Sequence, residues 1–327
     1  MYRYYPDSTI PGIFRNRAGY YRDDAFLRHR VADFWIDICW EETYIKTNAI
    51  SSYLINCGVN PGDRIALYSG NRPEWVFADL GILSTGAADV TIPAALEAAE
   101  AAFICNDSGA TICFCSGRRE ADNLLSARND LPGLEQIIAF DHGDYGDDII
   151  TTLDMVIQEG LENDRSEEIE SRVRALDPDA VMTVMYMPDI AGYPKGISLS
   201  ARDILGELPD LRMLDIHPAR RDAVLSALPL SDALERSSDY YRTMYRGGSI
   251  AFSPGSDRPT GDLPGNLSGR PAGARKYAEP SASTGTVPST CLPGEALGRP
   301  TGGLLMPGVD LGSTCTTAER CTCSSTP

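Results

Sequence analysis

The sequence has little positive charge and no long apolar run. Its 327 residues include 29 Lys and Arg against 46 Asp and Glu, which gives a net charge of −17 and an isoelectric point near 4.6. Nucleic acids and anionic membranes attract basic surfaces, so this balance argues against nucleic-acid partners and against electrostatic membrane binding. No apolar run approaches the roughly 20 residues that cross a bilayer, and residues 1–6 lack the apolar core of a secretory signal. We expect a cytoplasmic chain with no transmembrane segment, for which peripheral membrane contact stays open.

The sequence also lacks the motifs of several common sites. Its 9 cysteines include no Cys-x-x-Cys pair, which favours reduced thiols over a disulfide framework or a zinc site. The 3 histidines, His29, His142 and His217, are far apart, which favours surface positions over catalysis. No Gly-x-Gly-x-x-Gly follows a predicted strand, and no Gly-x-Ser-x-Gly or His-Glu-x-x-His occurs. Dinucleotide-dependent dehydrogenases, serine hydrolases and metal sites are therefore without support.

The composition of the chain changes abruptly near residue 254, which predicts two domains, 1–254 and 255–327. The first part carries the whole acidic excess, whereas the second is rich in Gly, Pro, Ser and Thr and has Tyr277 as its only aromatic residue. Such a segment buries too little apolar surface to offset its ordering entropy, so we expect a disordered tail. Its composition is also typical of GC-rich coding sequence read out of frame, which makes a frameshift one hypothesis for its origin.

Residues 1–254 alternate between helix and strand patterns. Apolar residues at i, i+4 spacing predict a helix over 44–57, and Pro73 opens a second helix that ends at Gly86. Further helices are predicted over 98–107, 120–130 and 167–176, and strands over 64–69, 88–93, 110–115, 136–141 and 180–186. Repeated β-α-β units of this kind predict an α/β fold with a parallel sheet covered by helices on both faces.

The segment 186–196 is the most informative for function, because it directly follows the last predicted strand. Gly192 and the run Pro194-Lys195-Gly196 are typical of a turn that brings backbone amides close to a phosphate, while the lysine supplies positive charge. Taken alone, such a segment is more often a plain turn than a ligand site, and it is not a Walker A sequence.

Several segments of the chain nevertheless follow one another in a characteristic order. They are 58–69, 71–80, 86–93, 106–110, 131–134, the 194–196 run, 225–236, and the pair Tyr240 and Tyr241. Over residues 10–252 this order resembles the AMP-forming acyl-CoA synthetases of the adenylate-forming superfamily. The run Leu-Pro-Leu-Ser-x-x-x-Glu-Arg over 228–236 resembles the long-chain fatty acid–CoA ligases in particular. The resemblance implies parallel-sheet βαβ layers of the N-terminal AMP-binding (adenylation) domain.

The resemblance also implies a reaction and its ligands. A long-chain fatty acid and ATP, with Mg²⁺, give an acyl-adenylate and pyrophosphate, after which coenzyme A displaces AMP. It assigns Tyr186, Gly192, Lys195 and Gly196 to the ATP-phosphate loop. It places Ser231 and Asp232 near the substrate pocket.

The sequence departs from the family pattern at this loop, which in relatives reads Tyr-Thr-Ser-Gly-Thr-Thr-Gly-x-Pro-Lys-Gly. Residues 187–191 are Met, Pro, Asp, Ile and Ala, so all four hydroxyl donors are missing and an aspartate stands where a glycine belongs. Asp232 and Ala201 each replace a family histidine, and Asp203 replaces an asparagine. Losing one preorganised donor costs about 3 kcal/mol of transition-state stabilisation.

The tail contains no Tyr-Gly-x-Thr-Glu motif, and neither the ribose-binding aspartate nor the catalytic lysine of the family's C-terminal domain can be found in it. We therefore expect a truncated chain whose catalytic residues are not identified. Three hypotheses stay open: an impaired ligase, a catalytically dead remnant or binding module, and a chain that forms no stable product.

Overall fold

The computed structural model describes residues 5, 7–31, 34–187, 194–206 and 223–252. Its α-helices are α1 (Ile10–Tyr21), α2 (Trp40–Asn56), α3 (Pro73–Thr85), α4 (Ala98–Ser108), α5 (Arg118–Ser126), α6 (Leu153–Glu162), α7 (Ser166–Ala175), α8 (Ala201–Gly206), α9 (Ala233–Glu235) and α10 (Arg242–Arg246). Its strands are β1 (Ala25–Val31), β2 (Phe34–Cys39), β3 (Arg64–Tyr68), β4 (Ala88–Ile92), β5 (Ile112–Cys115), β6 (Gln136–Ala139), β7 (Ile150–Thr152), β8 (Val181–Met187), β9 (Lys195–Ser200), β10 (Ala223–Leu225) and β11 (Ser249–Phe252). A 3₁₀ turn (Arg128–Asp130) follows α5, and a π-helical turn (Arg236–Tyr241) follows α9.

Seven strands form the main sheet, in the order β7-β6-β5-β3-β4-β8-β9. All neighbouring pairs are parallel except β8 and β9, which are antiparallel. Successive residues of β3 face opposite sides: Leu67 belongs to a core with α2 and α3, whereas Ala66 belongs to a second core with α4 and α5. The predicted α/β fold, a parallel sheet with helices on both faces, is therefore confirmed.

A second sheet of four strands, in the order β10-β11-β1-β2, was not predicted from the sequence. Strand β1 forms a hairpin with β2 and pairs in parallel with β11, so that Leu27 lies opposite Ile250. The ring of Phe26, also on β1, stacks on Trp40 with 3.8 Å between centroids. Trp40 and Trp75 are fully buried in the core.

Helices α1, α6, α8, α9 and α10 were also not predicted from the sequence. Helix α6 packs against α2 at Gly160, where a Cβ atom would lie only 1.9 Å from the backbone oxygen of Ala49. The glycine that permits this close approach weakens the helical signal of the segment. No helix among the described residues is long and apolar enough to cross a membrane. The predicted tail over 255–327, His217, Gly192 and positions 188–191 lie outside the described residues.

Candidate functional site

Lys195 and Gly196 lie in a strand and not in the turn predicted for them. They are the first residues of β9, where Lys195 pairs with Met187 and Gly196 pairs with Tyr186 on β8. The prediction of a turn was wrong here because antiparallel pairing with β8 extends the segment. A Cβ atom at Gly196 would lie 3.1 Å from Cζ of the Tyr186 ring, so the glycine leaves room for that ring.

The side chain of Tyr186 is held against helix α4. Its hydroxyl donates to Oδ2 of Asp107 at 2.7 Å, and its ring meets Phe103 edge-on with centroids 6.5 Å apart. Burial and the neighbouring Asp107 carboxylate raise the pKa of Tyr186. The hydroxyl of this predicted loop residue is therefore engaged in fixing β8 to α4, and the assignment of Tyr186 to a phosphate loop stays a prediction.

Lys195 lines an open depression of about 430 Å³ on the helix α4 side of the sheet. Arg64 and Ser198 also line it, with the Tyr186–Asp107 pair at its side. Arg64 donates to the backbone oxygen of Ser108 at 2.9 Å, which keeps the guanidinium at this surface. Lys195 and Arg64 are the two cationic side chains among its lining residues, and Asp107 is the one carboxylate.

The second predicted site, Ser231 and Asp232, follows β10. The backbone oxygen of Ser231 accepts a hydrogen bond from Oγ1 of Thr91, at the carboxyl end of β4, at 3.3 Å. The exposed Asp232 caps α9, since its Oδ1 accepts from the backbone N–H of Leu234 at 2.8 Å. Helix capping thus explains an aspartate at this position. Its place in a substrate pocket stays a prediction.

The two other departures from the family pattern also have local explanations. Ala201 is buried at the start of α8. The Asp203 carboxylate accepts hydrogen bonds from the backbone N–H and the hydroxyl of Ser200 at 2.8 and 2.7 Å. These bonds hold the pKa of Asp203 below its usual range. Both residues therefore stabilise the beginning of α8.

Arg236, the last residue of the 225–236 segment, belongs to a buried ionic network that was not predicted from the sequence. Arg236 donates to Oδ1 of Asp79 on α3 and to Oδ2 of Asp89 on β4, both at 2.6 Å, and to Thr183 on β8, also at 2.6 Å. All four residues are fully buried. Burial raises the pKa of Asp79 well above its usual range, against the opposing charge of Arg236.

Tyr240 and Tyr241 complete this network, since the hydroxyl of Tyr240 donates to Oδ2 of Asp79 at 2.9 Å. Tyr241 contacts both Asp79 and Arg236. The signal was present in the sequence, because Asp79 and Asp89 interrupt otherwise apolar segments, and a charge there needs a buried partner. Arg236, the second residue of the Glu-Arg pair in the 228–236 run, therefore joins α3, β4 and β8.

Within the described ranges, carboxylate side chains are the potential protein ligands of the Mg²⁺ that the family resemblance implies. In those ranges no three His, Cys, Asp or Glu side chains are close enough to hold an ion. No described residue is therefore assigned to Mg²⁺.

Comparison with known proteins agrees with the resemblance seen in the sequence. The sequence pattern of the AMP-binding enzyme family matches residues 14–267. Fatty acyl-CoA synthetase A of Dictyostelium discoideum is 27% identical over 229 residues, which are 67% of this chain and 32% of that protein. Long-chain-fatty-acid–CoA ligase FadD15 of Mycobacterium bovis is 27% identical over 218 residues, or 65% of this chain and 35% of the ligase. The chain spans about a third of the length of these relatives.

Solved structures show the same fold at low sequence identity. The anthranilate CoA ligase AuaEII in complex with anthranoyl-AMP matches with a TM-score of 0.64 and 19% identity, over 77% of this chain and 46% of the ligase. The N-terminal domain of FACL13 from Mycobacterium tuberculosis matches with a TM-score of 0.56 and 20% identity, over 75% of this chain and 57% of that domain. The chain belongs to the AMP-binding enzyme family.

Proposed function

We propose that this chain derives from an AMP-forming long-chain fatty acid–CoA ligase and that its adenylation activity is impaired. The observation that carries the proposal is the position of Lys195, opposite Met187 at the carboxyl end of the parallel strand β8. Ligands of open α/β sheets bind at this edge. The long-chain substrate class is supported by the fatty acyl-CoA ligases among the relatives. The cytoplasmic location stays part of the proposal.

The proposed reaction transfers AMP to a fatty acid. A carboxylate oxygen of the acid forms a bond to the α-phosphorus of ATP, and the bond from that phosphorus to pyrophosphate breaks with its electron pair on the leaving group. Lys195 and the amides beside it would stabilise the charge that develops on pyrophosphate. In the second step, the coenzyme A thiol attacks the acyl carbon and releases AMP.

The impairment follows from the sequence of the loop. Residues 187–191 lack every hydroxyl donor of the family pattern, and Asp189 adds a negative charge near the expected phosphates. Met187 is 56% exposed, so an apolar side chain faces solvent where relatives have a threonine. At about 3 kcal/mol for each lost donor, the combined loss would reduce turnover by many orders of magnitude.

A gain-of-function experiment tests the proposal. The five changes Met187→Thr, Pro188→Ser, Asp189→Gly, Ile190→Thr and Ala191→Thr restore the family loop. ATP–pyrophosphate exchange with palmitate and ATP binding by calorimetry are measured on the wild type, the restored chain, and the restored chain with Lys195→Ala. Lys46→Ala is the matched control, because Lys46 lies on α2 and pairs with Glu42 at 2.8 Å.

We expect the restored chain to bind ATP more tightly than the wild type and to gain exchange activity. Both gains should disappear with Lys195→Ala and persist with Lys46→Ala. A folded restored chain that neither binds ATP nor exchanges pyrophosphate would overturn the proposal.

A second candidate function is a non-catalytic remnant that binds a nucleotide or a partner. One contrast favours it: residues 187–191 lack the hydroxyl donors of the family loop, whereas the buried Arg236 keeps its hydrogen bonds to Asp89 and Thr183. Such a remnant would unfold cooperatively and bind ATP, yet the restored loop would bring no exchange activity.

A further inference from the structure

Asn71 makes three hydrogen bonds to the loop 226–232, which carries Ser231. Nδ2 of Asn71, just after β3, donates to Oγ of Ser226 at 2.9 Å and to the backbone oxygen of Leu228 at 2.6 Å. Oδ1 of the same side chain accepts from the backbone N–H of Leu230 at 2.7 Å. The three bonds use both amide protons and the amide oxygen, so only a side chain with two donors and one acceptor in this geometry can make them.

Glu235 holds the same loop from its other side. Its Oε1 accepts from the Ser226 hydroxyl at 2.8 Å, and its Oε2 accepts from the backbone N–H of Leu228 at 3.3 Å. Ser226 and Glu235 are each 1% exposed. Because the Ser226 hydroxyl has one proton and gives it to Glu235, its oxygen must accept from Asn71, so the direction of both bonds is fixed.

This arrangement bridges the two sheets. The backbone N–H of Ser226 donates to the oxygen of Ala251 on β11, at 3.0 Å, so the loop leaves the small sheet at that residue. Asn71 lies at the carboxyl end of β3, and Thr91, at the same end of β4, donates to the backbone oxygen of Ser231. The loop therefore spans from the small sheet to the ligand-binding edge of the main sheet.

We propose that Asn71 is a positioning residue for the fatty-acid pocket, acting through the 226–232 loop to set where Ser231 lies. This inference rests on the proposed function, because that function places Ser231 at the pocket. It also explains why an asparagine after β3 and the Leu-Pro-Leu-Ser run occur together in this chain: the two segments are bonded to one another.

The test compares Asn71→Ala and Asn71→Asp with a matched control, Asn56→Ala. Asn56 also joins distant segments, since its Nδ2 donates to the oxygen of Asn163 at 3.0 Å and its Oδ1 accepts from Arg165 at 2.7 Å, but it lies at the end of α2, far from the loop in sequence. The readouts are hydrogen exchange of the Leu230 amide by NMR, thermal unfolding, and the dissociation constants for palmitate and ATP–Mg.

We expect Asn71→Ala to speed exchange of the Leu230 amide and to weaken palmitate binding, each by roughly tenfold, the equivalent of one hydrogen bond. ATP binding should stay within about twofold, because the hydrogen bonds of the Asn71 side chain go to Ser226, Leu228 and Leu230 of the 226–232 loop. Asn71→Asp should keep the Leu230 amide protected, since its oxygen still accepts, yet weaken palmitate binding because both donors are lost. Asn56→Ala should change neither the exchange rate of the Leu230 amide nor the dissociation constants for palmitate and ATP.

If Asn71→Ala leaves the exchange rate of the Leu230 amide unchanged, the inference is overturned. It is also overturned if this variant loses palmitate and ATP binding equally and has a lower melting temperature, because that result identifies a residue with a purely structural role. A wild-type chain that binds neither ligand would instead overturn the proposed function and the pocket role that depends on it. The exchange result would still show whether Asn71 holds the loop, so the two failures are distinguishable.

Discussion

Replacing Arg236 by methionine is the sharpest test of the buried network. Methionine has a similar length, so little cavity forms, but Asp79 and Asp89 would be left as fully buried carboxylates without their cation. Removing one partner of a buried ion pair costs about 3–5 kcal/mol. A domain is stable by about 5–15 kcal/mol. We therefore expect Arg236→Met to remove a large share of the free energy of unfolding at pH 7.

The pH dependence of this loss has a definite sign. Without Arg236, burial and the neighbouring Asp89 carboxylate keep the pKa of Asp79 in the folded chain above the unfolded value of about 3.9. A group with a raised folded-state pKa stabilises the fold below its unfolded pKa, and this stabilisation is lost as pH rises through the folded value. The difference in stability between wild type and Arg236→Met should therefore be small near pH 4 and largest above pH 7.

Urea unfolding followed by tryptophan fluorescence measures both effects, because Cζ of Arg236 lies 5.2 Å from the centre of the Trp75 ring. The control is Arg202→Met, which breaks an exposed pair with Asp179 and should leave the free energy of unfolding nearly unchanged. Adding Asp79→Asn and Asp89→Asn to Arg236→Met should recover most of the loss. A loss below about 1 kcal/mol, or one that does not vary with pH, would refute the reasoning.

Two further predictions concern Glu235 and Gly160. Burial raises the pKa of Glu235 to about 7 from 4.5, so the folded chain holds this proton more tightly than the unfolded chain. As pH rises from 4.5 to 7, the free energy of unfolding of the wild type should therefore fall by about 3 kcal/mol relative to that of Glu235→Gln. A difference between the two proteins that stays constant with pH would contradict this prediction. Gly160→Ala should lower the free energy of unfolding by about 1–3 kcal/mol in urea, because the added Cβ meets the Ala49 backbone. Gly133→Ala, at an open position, is the control, and equal effects would refute the packing argument.

Local patterns were sufficient for the parallel core of the main sheet. Strands β3, β4 and β5 and helices α3 and α4 lie within a residue or two of their predicted bounds, because each has its own apolar pattern and its own terminal Gly or Pro. The family resemblance also depended on short sequence segments, which can be recognised without knowing their tertiary contacts.

Long-range contacts decided the rest. The pairing of β1 with β11 joins residues more than 200 positions apart, and neither strand has a sequence pattern that names its partner. Lys195 and Gly196 read as a turn, but hydrogen bonds to β8 extend them into a strand. Asp79, Asp89 and Arg236 have no local reason to meet, and only the packing of α3, β4 and β8 gives two buried carboxylates their common cation. Periodicity reports which face of an element is buried, whereas the choice of neighbour depends on contacts that close only when the whole chain folds.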